Sequence, residues 1–156
     1  MHEYEHTQPG TFMRAMTGLW VVIFVVGSVV MLALGGQEVA GAVIPGIVML
    51  AVFTAIIVAL FHSLTVRISR SDIAISFGVG LIRKRFPIGD IRSVRIARNR
   101  WYNGWGIRKI RGGWLYNVSG FDAIEIQLKN ERKYRIGTDQ PKKLFEAVES
   151  ALAGSS

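Results

Sequence analysis

Hydrophobic and polar positions along this chain change rhythm once, near His62. Before it they come in blocks: 23 uncharged residues separate Arg14 from Glu38, and 28 more run from Val39 to Val66. A helix rising about 1.5 Å per residue needs about 20 apolar residues to cross the ~30 Å hydrocarbon layer. Neither block has the polar face of a soluble core helix. The pattern predicts transmembrane helices over roughly 17–34 and 43–61, joined by GGQEVAG, with Pro45 in the first turn of the second, where its missing N–H costs little. Residues 1–16 read as a polar tail. A cleaved leader is the rival reading of the first block, but Glu3 and Glu5 against Arg14 make a poor charged start for one.

After His62 the period becomes two. Leu64, Val66 and Ile68 alternate with Thr65, Arg67 and Ser69; Ile73, Ile75 and Phe77 repeat the pattern, as do Ile124, Ile126 and Leu128, with Glu125, Gln127 and Lys129 facing solvent. Tyr134 and Ile136 follow. These are half-buried strands. LIRKRF and IRSVRIAR read as strands with broken alternation, and a bulge is expected near Ser93-Val94. Gly78-Val79-Gly80 and Asn130-Glu131 supply turns. Thr138-Asp139 is placed to cap a last helix, about 140–153, whose apolar face is Leu144, Val148, Ala151 and Leu152. The expected class is α+β: a transmembrane helical hairpin over 17–62, then a small antiparallel β-barrel or sandwich over 63–153 closed by a helix, with 154–156 as a tail.

Charge adds an orientation. Of 19 Lys and Arg, only Arg14 precedes His62, and the connector between the helices has none. Positive residues stay on the cytoplasmic side, so both termini are expected inside a cell (inner or plasma) membrane crossed twice. The chain has no Cys, which excludes disulfides and thiol chemistry.

SLTVRIS, GWGIR followed by GGWLYNVSGFDAIEIQLKN, and RIGTDQPKKLFEAVESAL resemble the bacterial PH-like (pleckstrin-homology-like) domain proteins, small membrane proteins in which two transmembrane helices precede such a domain. The resemblance implies a strongly bent seven-stranded barrel capped by a C-terminal helix, and no catalytic residues. Glu131 departs from the Gly expected in the turn after Asn130; a two-residue turn with positive φ there would be strained by Glu.

Candidate chemistry is sparse. His2, His6 and His62 are too scattered for a metal site, the acids offer no pair suited to general acid–base work, and Gly78-Val79-Gly80 lacks the Lys and Ser/Thr of a phosphate loop. No cofactor is expected. What remains is positive charge: from Arg83 to Arg111 ten bases meet one acid, Asp90. Arg83, Lys84, Arg85, Arg108, Lys109 and Arg111, with Trp101 and Trp105 as interfacial aromatics, form the candidate surface for anionic lipid headgroups or an acidic protein partner. Trp114 is assigned to the core. Solvation and topology alone are the bland account of the same charges, and nucleic acid ranks last among basic-patch readings. Ala51, Ala55 and Ala59 form a small-residue stripe, read first as contact with the first helix and second as a homo-oligomer or membrane-protein interface. The lead reading is a non-enzymatic, membrane-anchored PH-like binding module; the alternative is an assembly subunit acting through its hairpin.

Overall fold

The computed structural model describes residues 4–154, without the side chains of residues 36–38, 40 and 42; His2 and the final two residues of the expected tail lie outside that set. Helical backbone runs from Thr11 to Phe61 as α1, 51 residues that would reach ~77 Å if straight. Instead it is folded back. The Gly10 N–H donates to the His62 carbonyl at 2.7 Å, and a Cβ on Gly46 would lie 3.6 Å from Phe24 Cζ. Two arms, Thr11–Gly35 and Val43–Phe61, therefore lie side by side, each long and apolar enough to cross a membrane. A core helix of a soluble protein passes the same test of length and composition, but it would be buried; here 6% and 0% of the two apolar windows are.

The polar tail expected over 1–16 is overturned where it is described. Tyr4–Pro9 is strand β1, paired antiparallel with β2 (Ser63–Ile68) from Tyr4 opposite Ile68 to Pro9 opposite Ser63. One strand enters the helical hairpin and its partner leaves it. β3 (Asp72–Phe77) and β4 (Ile82–Pro87) complete a four-stranded antiparallel sheet in the order β1-β2-β3-β4.

A short 3-10 turn, Ile88–Asp90, leads to β5 (Ile91–Arg98), and another, Trp101–Asn103, lies between β5 and β6 (Gly106–Ile110). β7 (Gly113–Asn117), β8 (Asp122–Leu128) and β9 (Lys133–Gly137) then form a five-stranded sheet in the order β5-β8-β9-β7-β6. β7 and β9 run parallel; the other neighbours in this sheet are antiparallel. The expected seven-stranded barrel is thus corrected to nine strands among the described residues, in two sheets that do not close. The bulge in β5 falls between Ile91 and Ser93, beside the expected position.

The alternation readings hold. Leu64, Val66, Ile68, Ile73, Ile75 and Phe77 are all buried, and with Ile124, Ile126, Ile136 and Tyr134 they form one core between the sheets. Helix α2 (Pro141–Ala153) packs Leu144, Val148 and Ala151 into it. The expected cap is corrected: Asp139 makes no cap bond but meets His6 Nε2 at 2.5 Å, and the Thr138 hydroxyl accepts from the Gln140 N–H at 3.0 Å. The turn after β8 is longer than two residues. Glu131 N–H donates to Leu128 O at 3.0 Å, and Glu131 sits at φ 66°, after which Leu128 N–H closes on Arg132 O at 2.9 Å. Arg92 and Gln127 hold the Glu131 carboxylate, which offsets part of the roughly 1–2 kcal/mol cost of a left-handed L-residue.

The domain grips the end of the second arm. The Val79 N–H donates to Ala59 O at 3.1 Å, Gly78 N–H to Ser63 O at 2.9 Å, and His62 Nδ1 lies 3.2 Å from the carbonyls of Val58 and Ala59. Carbonyls that a helix terminus leaves without partners are thereby satisfied by the β3–β4 turn, by Gly10 and by His62. Gly78 has φ +49°, and a Cβ there would collide with the Ala59 carbonyl oxygen. Gly78→Ala is expected to destabilise the protein by at least ~2 kcal/mol, read by thermal unfolding in detergent. Gly27→Ala, with no atom within 4 Å of the added carbon, is the matched control and is expected to be neutral or mildly stabilising.

Candidate functional site: a cationic cleft on the five-stranded sheet

Strand register places Arg95, Glu125, Arg135, Leu115 and Arg108 in one row across all five strands of the second sheet. Glu125 was expected to face solvent. It does lie on the face opposite Ile124 and Ile126, but two arginines cover it and leave it 4% exposed. Arg95 donates through Nε at 3.0 Å and Nη2 at 2.5 Å to one carboxylate oxygen, and Arg135 Nε donates to the other at 2.6 Å. Burial by itself raises the Glu125 pKa; the hydrogen bonds and charges of Arg135 and Arg95 outweigh it and hold the carboxyl below its ordinary value.

Beside this row opens a cleft of about 540 Å³ lined by Arg98, Arg100, Arg108, Lys109, Arg111 and Arg135, with Tyr102, Asn103 and Ile110 completing the wall. No acid lines it. The β5–β6 connection shapes it, because these strands occupy opposite edges of the sheet and the chain between them must cross from one to the other. Arg100 Nη1 donates to the Tyr102 hydroxyl at 2.9 Å, with its guanidinium carbon 5.8 Å from that ring's centroid. Arg108 Nε donates to the Trp105 carbonyl at 3.1 Å and packs on Gly104, whose φ of +67° only glycine adopts easily. Planar guanidiniums fixed in this way present their remaining N–H groups to carboxylate or phosphate oxygens.

The predicted surface residues separate. Arg108, Lys109 and Arg111 meet in this cleft, whereas Arg83 and Arg85 border a different hollow on the first sheet, with Lys84 exposed beside it. In that hollow Arg85 lies 4.0 Å from Asp72 and Arg67 pairs with Glu5 at 2.9 Å, so its charge is partly neutralised. Trp101 is 76% exposed. Trp105 is half-buried: it stacks on Phe12 of the first arm, centroids 3.5 Å apart, and contacts Phe121. Trp114, assigned to the core, is 42% exposed. By strand alternation it shares the face of Tyr116, but it lies toward the Arg111–Gly112 turn and outside the buried cluster. Ala51 and Ala55 are exposed, while Leu50, Thr54 and Ile57 of the second arm face a groove shared with Met13, Thr17 and Phe24 of the first. The small-residue stripe therefore does not form the contact between the arms; Ala59 alone is half-covered, by the β3–β4 turn.

Arg135 and Tyr102 were missed by sequence reasoning. The alternation of KYRIG puts Arg135 opposite the Tyr134 and Ile136 face, yet only the pairing of β9 with β7 brings it near Arg108. Metal chemistry has no support from side-chain clusters: no group of three or more His, Asp or Glu is placed to hold an ion among the described residues.

Glu125 sets a pH dependence. Its folded pKa is depressed, so the stability it contributes is complete above its unfolded value, near 4.5, and is lost as pH falls through the folded value. Glu125→Gln is expected to cost about 2 kcal/mol at pH 7 and to flatten the loss of stability below pH ~4.5; equal denaturation midpoints at pH 7 would show that the two arginines gain nothing from this carboxylate. Compared with family models, with curated proteins and with solved structures, the chain matches none.

Proposed function

We propose that this protein is a membrane-anchored, non-enzymatic binding module of the PH-like kind, whose cationic cleft takes an acidic segment of a partner protein at the inner surface of a cell membrane. The observation that carries it is the convergence of six Lys and Arg side chains on one cleft with no acid among its described lining residues, only Arg98 and Arg135 having acidic partners, Asp122 and Glu125, behind it. Support for the anchor comes from two long apolar arms that the rest of the chain leaves uncovered. Support for the inner face comes from the 18 Lys and Arg that follow His62 against 8 Asp and Glu. A two-sheet fold with a C-terminal helix packed into its core agrees with the PH-like reading; the strand contributed by Tyr4–Pro9 and the parallel β7–β9 pair are departures from it.

An acidic segment fits better than a lipid headgroup because of where the cleft runs. Its lower end is near the helix base, where Thr11 meets Ser119 at 2.8 Å and Phe12 stacks on Trp105. β6 and the turn after it then carry Arg108, Lys109 and Arg111 away from that base, by about 7, 10 and 17 Å from Gly106 at ~3.3 Å per residue. Lys109 and Arg111 lie farther from the base than a Debye length of about 8 Å, and Arg108 lies within it. Phosphate groups of the bilayer therefore reach Arg98 and Arg100 more readily than Arg111, whereas an extended acidic chain spans the whole cleft.

The test uses the full chain in nanodiscs of neutral phosphatidylcholine and a fluorescent oligoglutamate peptide. Binding that weakens with salt and falls at least roughly tenfold in Arg108→Glu/Arg111→Glu, about 1.4 kcal/mol, is the expected result. No binding at low salt, or binding indifferent to the double substitution, contradicts it. Loss of the peptide when anionic lipid is added to the disc would transfer the cleft to headgroups.

The outward position of Ala51 and Ala55 favours a second reading, self-association through that face. Crosslinking in native membranes should then yield a defined dimer that weakens with Ala51→Leu/Ala55→Leu; a monomer throughout would remove it.

A further inference from the structure

The β3–β4 turn stands out among the polar turns of this domain. It carries Val79, 60% exposed, and Leu81, 77% exposed. Bulky apolar side chains at a tight turn usually fold back onto the core, and these two do not. Their position explains what covers them. The Val79 N–H is bonded to Ala59 O and Gly78 sits against the carbonyls of Ala59 and Leu60. The turn is therefore beside the last turn of the second arm, about 3 Å short of its end at ~1.5 Å per residue, rather than beneath it.

We infer that Val79 and Leu81 form a wedge that enters the bilayer interface next to the second arm and seats the domain on the leaflet. The inference rests on the membrane reading of the arms but is independent of what occupies the cleft. Adjacency is the first argument: Val79 is bonded to the last turn of an arm whose Val52, Phe53, Ile56 and Val58 are exposed. Charge is the second. Arg83, Lys84 and Arg85 follow at once and are exposed, and Arg83 Nε is held at 2.5 Å by the Gly80 carbonyl, which keeps that guanidinium folded against the turn at headgroup depth. Apolar tip and cationic collar together match a lipid surface, acyl region first and phosphate layer behind it. On the other side of the hairpin base, Phe121 and exposed Trp101 and Tyr102 provide aromatic side chains of the kind found at that depth.

The chain has no cysteine, so single-cysteine variants can be labelled with an environment-sensitive nitrobenzoxadiazole dye on the full protein in nanodiscs. Four positions suffice: Val79→Cys, Leu81→Cys, Val52→Cys in the middle of the second arm, and Lys129→Cys in the turn at the opposite end of β8 from Asp122. Expected are blue-shifted emission at 79 and 81, quenched by lipids spin-labelled near the headgroup, deep quenching at 52, and water-like emission at 129. Water-like emission at 79 and 81 with 52 still in lipid overturns the wedge and leaves the anchor standing. Shielding at 81 without lipid quenching also overturns it, by assigning the turn to a protein contact. Water-like emission at 52 removes the membrane reading and the wedge together.

Discussion

Everything in this molecule depends on how the end of one helix is closed. A helix that emerges from an apolar layer leaves its last carbonyls facing outward, and each needs a donor. Here the donors come from the folded domain itself: the backbone of Gly10 and Val79, with His62 beside them, while Gly78 N–H closes on Ser63 O at the start of β2. The arms are also continuous with paired strands, β1 entering and β2 leaving. The hairpin is consequently not tethered to the domain by a linker. It grows out of the first sheet, and the direction of the arms fixes which end of the sandwich lies beside them.

That constraint orders the rest. The strands run between an end beside the helices and an end remote from them, so each charged group acquires a depth as well as a face. Arg98 and Arg100 lie near the base, and Arg111 and Lys129 lie away from it. The cleft inherits this axis, and the buried Glu125 gives it rigidity by pinning Arg135 from behind. A carboxylate with two arginine partners keeps its charge in a covered site because both bonds strengthen the ionised form; the net positive charge of the row then projects toward the cleft.

Much of the fold was legible in the sequence because period-two burial is a local signal: Leu64, Val66 and Ile68, or Ile124 and Ile126, state their face without help from the rest of the chain. The first strand escaped because YEHTQP turns Tyr4, His6 and Gln8 inward, polar or aromatic side chains that hydropathy does not flag, and its pairing partner lies more than 50 residues away. Glu125 was put on the correct face, but the two arginines that cover it come from strands 30 and 10 residues distant. Likewise the positive stripe from Arg83 to Arg111 was visible as composition, while its division between two sheets was not, since only the chain reversal at Ile88–Asp90 separates its halves. The glycines of 101–117 are explained by backbone: Gly104, Gly106 and Gly112 all hold positive φ, at the corners of the crossover and of the β6–β7 turn.

The central claim, that two lipid-embedded arms are clamped rigidly to the domain through capped carbonyls, is tested most directly by amide hydrogen exchange of the intact protein in nanodiscs. The account predicts slow exchange throughout both arms and, at Gly10, Gly78 and Val79, protection equal to that of the centres of β2 and β3. Loop-like exchange at those three amides, or rapid exchange along the arms, would contradict it.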